Sequence, residues 1–84
     1  VTSVPDSASS VTLLASNTSR AGASIQNDSS EILYVKLGAT ATTTDYTVEM
    51  VSGAYYEVPF GYTGRIDGIW ANNSTGAALI TELT

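Results

Sequence analysis

Ile32-Leu33-Tyr34-Val35-Lys36-Leu37-Gly38 is the stretch that decides the fold. Leu33, Val35 and Leu37 alternate with Tyr34 and Lys36, so an extended backbone puts three aliphatic side chains on one face and two polar-tipped ones on the other. The same period of two continues in both directions. Toward the C terminus, Tyr46, Val48 and Met50 share a face of a strand over residues 46–51. Ser52-Gly53 reads as a hairpin turn into a strand over residues 54–58, which Pro59 stops because it has no N–H for a ladder. Residues 65–71, with Ile66, Ile69 and Trp70, and residues 77–83 supply two more strands around the hairpin loop Asn72-Asn73-Ser74-Thr75-Gly76. Gly68 inside the first of these suggests a bulge or a close backbone approach.

Toward the N terminus, Ile25 points inward from a strand over residues 23–27, and Asp28-Ser29-Ser30-Glu31 connects it to the deciding stretch. Asn17-Thr18-Ser19-Arg20-Ala21-Gly22 is a cluster of turn formers, and residues 11–15 alternate Val11 and Leu13 with Thr12. Residues 1–10 are polar, contain Pro5 and show no period, and read as an extended arm outside an 11–84 domain. No window carries apolar residues at helical spacing for three turns. Ser and Thr supply 23 of the 84 residues, a composition that suits strands and turns. The expectation is an all-β chain: a small antiparallel β-sandwich, jelly-roll-like, of about seven strands.

A chain of 84 residues makes one domain with a thin core. Burying its apolar surface contributes about 120 kcal/mol, against about 125 kcal/mol for ordering the chain. There is no Cys to add a covalent link, so the domain gains from association. The lack of both His and Cys rules out a His-based triad, a thiol nucleophile, a Cys/His zinc site and a redox pair. Neither an enzyme nor a cofactor is expected. Arg20, Lys36 and Arg65 face eight acids, a net charge of −5, which repels nucleic acid and anionic membrane surfaces. No apolar run approaches a membrane span, and no basic stretch followed by an apolar one reads as a signal peptide.

A few constellations invite a chemical reading. Glu57 and Asp67 fall on strands that can be neighbours, as paired carboxylates require, but solvated acids beside Lys36 or Arg65 explain them with less. Asn27-Asp28 with Glu31 offers oxygen ligands for calcium, though an Asx turn accounts for the same residues. All four Asn residues open N-x-Ser/Thr triplets, which a Ser/Thr-rich chain generates readily. Tyr55 and Tyr56 are adjacent in one strand, so one faces the core and the other faces out. An outward Tyr together with Tyr62, and Trp70 nearby, can form a stacking platform for a sugar or a partner side chain; Trp70 completing a small core is the simpler reading.

Leu33-Tyr34-Val35-Lys36-Leu37-Gly38, Tyr55-Tyr56-Glu57-Val58-Pro59-Phe60-Gly61-Tyr62-Thr63-Gly64, Gly68-Ile69-Trp70 and Thr81-Glu82-Leu83 together give a chain that resembles small β-rich virion proteins of tailed bacteriophages. The likeness lies in overall wording across roughly residues 20–84 and carries no catalytic motif. The resemblance implies a β-sandwich that decorates a capsid or forms part of a fibre, in symmetric copies, within the virion after assembly in the host cytoplasm. The expected function is then a capsid decoration (cement) protein held to the major capsid protein or other virion proteins by protein–protein contacts. A homo-oligomer, with a trimer favoured, goes with that role. The partner-binding residues expected are Val1, Thr2, Ser3, Val4 and Pro5 of the arm, acting as a lash, together with Tyr55 and Tyr62. The alternative is a fibre or spike domain that binds a host receptor or carbohydrate.

Overall fold

The computed structural model describes residues 1–84 and holds eight strands and no helix. They are β1 (Thr2–Pro5), β2 (Val11–Leu14), β3 (Gly22–Asp28), β4 (Leu33–Leu37), β5 (Val48–Met50), β6 (Tyr55–Glu57), β7 (Ile66–Trp70) and β8 (Ala77–Leu83). Two four-stranded antiparallel sheets form, in the orders β1-β8-β3-β6 and β2-β7-β4-β5. First pairs with last, second with seventh, third with sixth and fourth with fifth. This nesting is a jelly roll, a long antiparallel ribbon rolled so that its two halves face each other. The expected architecture therefore holds, with one more strand than the seven read from the sequence.

The extra strand corrects the reading of residues 1–10 as a detached arm. Thr2, Ser3, Val4 and Pro5 pair with Ile80, Leu79, Ala78 and Ala77 of the same chain. Val4 packs against the core, while Val1 stays exposed. The following residues are tied down as well. The Asp6 carboxylate accepts from the Ser74 N–H at 3.0 Å, the Gly76 N–H at 3.2 Å and the Ser74 hydroxyl. Trp70 N–H donates to the Ser7 carbonyl at 2.9 Å.

A second correction concerns the connections. Ser52-Gly53 does not close a hairpin, because β5 and β6 lie in different sheets. The β3–β4 and β7–β8 connections likewise arch over the core. Only β4 and β5 are chain neighbours paired within one sheet, and the long Thr-rich segment between them makes that link. Tyr46 also leaves the face expected for it. Its ring sits 4.8 Å from that of Tyr34 on the outer side of the β2-β7-β4-β5 sheet, and the Thr47 hydroxyl accepts the Leu37 N–H at 3.0 Å.

Between the sheets lie Leu13, Ile25, Leu33, Val35, Met50, Ile66, Trp70 and Ile80, all buried. They alternate along their strands with outward residues, as a two-layer fold requires. Gly68 leaves room for the core side chains of the strands on either side of it: a Cβ there would stand 2.8 Å from Leu13 Cδ1 of β2 and 3.1 Å from Leu33 Cδ1 of β4, its neighbours in the same sheet. The bulge expected near Gly68 lies on its partner strand, where the β2 register slips between Thr12 and Leu14 and leaves Leu13 as the extra residue. Folding leaves an accessible surface of 4347 Å².

Candidate functional site

The outer face of the β1-β8-β3-β6 sheet carries the most unusual surface. Gly22 and Ser24 of β3 form a small-residue floor, with Tyr55 and Glu57 of β6 on one side and Leu83 of β8 on the other. Phe60, just past the end of β6, closes one end, and the open groove so formed measures about 600 Å³. Tyr55 is 61% exposed, Leu83 60% and Phe60 92%. Three large apolar side chains, each mostly in water, thus gather around one depression.

The backbone beside the groove is open too. Asn27 N–H donates to the Ala54 carbonyl and Val58 N–H to the Ala23 carbonyl, each at 2.9 Å. Antiparallel alternation therefore turns Ala54, Tyr56 and Val58 toward β3, and turns the N–H and C=O of Tyr55 and Glu57 away from it, along the sheet edge. Pro59 is next in that outward series and has no N–H, so the free edge is limited to a few residues. At the other edge, Pro5 blunts β1 in the same way.

The electrostatics are one-sided. Arg20 pairs with Glu82 at 2.8 Å, Lys36 with Asp45 at 2.6 Å and Arg65 with Asp67 at 2.7 Å. Every cationic side chain is thus engaged with an acid of its own chain. Asp6, Asp28, Glu31, Glu49 and Glu57 have no cationic partner, and Glu57 is the ionisable side chain that faces the groove.

Two of these ion pairs are structural. Arg20 is buried. Its Nε donates to Glu82, Nη1 to the carbonyls of Gly64 at 2.9 Å and Tyr62 at 3.3 Å, and Nη2 to the Ala15 carbonyl at 2.6 Å. One guanidinium thereby joins β8, the end of β2 and the loop after β6. Asp67 lies on the outer face of β7 but is covered by the Thr-rich segment. It accepts from Arg65 Nε at 2.7 Å, Arg65 Nη2 at 3.0 Å and the Thr40 N–H at 2.7 Å. Thr40 sits at φ 60°, and this contact helps hold it there.

Asn27 is buried completely and bridges both sheets. Its amide nitrogen donates to the carbonyls of Glu31 at 2.8 Å, Met50 at 2.9 Å and Val51 at 3.2 Å. Its oxygen accepts from the Ser29 hydroxyl at 2.8 Å and from Trp70 Nε1 at 3.2 Å. With both ends of its amide occupied by protein, Asn27 is turned away from any cation near Asp28 and Glu31.

The residues expected at a partner site are therefore divided. Tyr55 faces out, as the adjacent-tyrosine reading requires, and Tyr56 is the inward one. Tyr62 does not join Tyr55. Its ring packs against the core and crosses Gly64, where a Cβ would meet the Tyr62 hydroxyl oxygen at 2.6 Å, and that hydroxyl donates to the Arg65 carbonyl at 2.7 Å. Thr2–Pro5 are engaged in β1, so they do not form a free lash. Glu57 and Asp67 lie on the outer faces of opposite sheets and cannot act together on one bond. Phe60 and Leu83 were missed as site residues; one sits in a turn and the other at a strand end, and only the rolled topology brings them beside Tyr55.

Acid dependence follows from two carboxylates. The Ser74 hydroxyl, helped by the Ser74 and Gly76 N–H groups, holds Asp6 below its ordinary value against a smaller opposing effect of desolvation. Burial pushes Asp67 up, but the Arg65 hydrogen bonds, the Thr40 N–H, the Arg65 charge and the Thr12 hydroxyl together carry it below its ordinary value. A carboxylate lowered on folding stabilises fully above its unfolded pKa of about 3.9, and that contribution disappears as pH falls through the folded value. Melting temperatures of the wild type should thus be level from pH 7 to about 5 and fall below about 4. In the Asp6→Asn and Asp67→Asn double variant the fall should be shallower; an equally steep fall would place the acid sensitivity elsewhere.

Comparison with family models, with curated proteins and with solved structures finds no match to this chain.

Proposed function

We propose that this jelly roll is a virion structural protein, a capsid decoration protein that docks on its shell through the outer face of the β1-β8-β3-β6 sheet. The observation that carries the reading is the groove itself: Tyr55, Phe60 and Leu83 exposed around a floor of small residues on one side of a thin sandwich. A domain near the lower limit for a self-sufficient core stabilises further by covering such a face. The resemblance of the sequence to small virion proteins of tailed phages supports the choice of partner. With residues 2–5 engaged in β1, the sheet face takes over the docking role expected of the N-terminal segment. The fibre-tip alternative keeps Tyr55 but loses Tyr62, whose hydroxyl is already engaged.

Electron microscopy of intact particles, with gold-labelled antibody against this protein, tests the reading. Label spread evenly over the head is the expected result. Label confined to a fibre tip, or particles without label, overturns it. In reconstitution on bare heads, Tyr55→Ser combined with Phe60→Ser should reduce occupancy at least about tenfold, the scale of losing one or two buried aromatic anchors.

A further inference from the structure

We infer that the groove takes an extended polypeptide segment of the partner that carries an Arg or Lys side chain and, two residues away, an apolar one. The inference rests on the reading of this groove as the docking face and names the chemistry of what fills it.

Two observations converge on that occupant. The first is charge. Glu57 projects into the groove with no cation beside it, and all three cations of the chain are held by other acids. An acidic segment would be repelled and a cationic one attracted. A second copy of the same surface would bring a second Glu57 and another net −5 to the contact.

The second observation is shape and polarity. An Arg or Lys stem is apolar and its tip is charged. The exposed ring of Tyr55 and the side chain of Leu83 can flank the stem, and the tip can reach Glu57 across a floor that Gly22 and Ser24 keep low. The Tyr55 ring also offers its face to the cation, a contact worth about 0.5–1 kcal/mol at an exposed site. Phe60 and Leu83 are left for an apolar neighbour. Side chains two apart on an extended segment project to the same side, which sets the spacing.

The test uses the isolated protein, ¹⁵N-labelled and titrated to millimolar concentration with Ac-Thr-Arg-Thr-Leu-Thr-NH₂, in parallel with the peptide in which Glu replaces Arg. Saturable shifts at the amides of Gly22, Ser24, Tyr55, Glu57 and Leu83 with the Arg peptide, and much weaker ones with the Glu peptide, are expected. Glu57→Gln, a surface change that leaves the core untouched, should weaken binding about threefold, the size of one exposed ion pair. Tyr55→Ser should weaken it further. Shifts elsewhere, equal response to both peptides, or no response overturn the inference. So do groove shifts caused by neutral glycans alone, which would assign the groove to carbohydrate, or by raising the protein concentration alone, which would assign it to a second copy. Head labelling in the microscope with a silent peptide titration would discard the peptide and keep the decoration role; the converse would discard the role and keep the peptide site.

Discussion

Asn27→Leu should cost about 3–5 kcal/mol, because four or five buried polar groups lose their partner at once. Leu keeps the branched outline of Asn, though it is bulkier, but offers nothing to the carbonyls of Glu31, Met50 and Val51 or to the Nε1–H of Trp70. Each group left dry and unpaired costs about 1–3 kcal/mol, and partial entry of water keeps the sum below the simple total. A domain of this length has about 4–13 kcal/mol in all, so the loss is a large share, equivalent to a fall in Tm of roughly 15–30 °C. Asn27→Asp should be no better: it keeps an acceptor for Trp70 but sets a buried negative charge against three carbonyl oxygens. Urea unfolding followed by Trp70 fluorescence measures both, since Trp70 is the chain's one tryptophan and is itself bonded to Asn27. A cost of Asn27→Leu below about 1 kcal/mol, the size of a single net hydrogen bond, would show that the bridge between the sheets is dispensable.

Arg20→Met should be as damaging, about 3–5 kcal/mol, for a different reason. It strands the Glu82 carboxylate and three carbonyls from separate parts of the chain, those of Ala15, Tyr62 and Gly64. Arg20→Lys keeps the charge but lacks the planar fork that reaches all four acceptors, and should recover less than half of the loss. Arg20 precedes the first residue of β3 and Asn27 lies near its last. The two sites are separated by about 17 Å of strand or more, so their effects should add within about 0.5 kcal/mol. The double variant should be largely unfolded at 25 °C. Circular dichroism and the same urea titration check this, and a double variant no weaker than either single one would show that the two clusters work as one.

The difference between what was readable and what was not follows from these residues. The strand around Val35 was plain because its three aliphatic positions all serve one core. β3 was readable from the inward Ile25, and β7 and β8 from Ile66, Trp70 and Ile80. β1 was not, because Val4 alone packs inward from it and its pairing lies in backbone groups that any sequence offers. Arg20 reads as a member of a turn cluster because of its Asn, Ser and Gly neighbours, and Asn27 as a strand end opening an Asx turn. Their real partners come from up to 62 residues away along the chain, which no window can display. The arches were mistaken for hairpins because a short Ser-Gly or Asn-rich connector suits either. Tyr55 was identifiable as an outward residue from its neighbour Tyr56, whereas its companions Phe60 and Leu83 required the rolled topology.

Pairing first with last also sets a timetable for assembly. β1 emerges first during synthesis but its mate β8 emerges last, and the β2–β7 pair waits almost as long. Only β4 and β5 can close early, as a two-stranded nucleus too small to persist alone. Chains that stop before residue 77 lack the strand that both β1 and β3 flank. Without it the β1-β8-β3-β6 sheet cannot assemble, so the roll closes only once all eight strands are present.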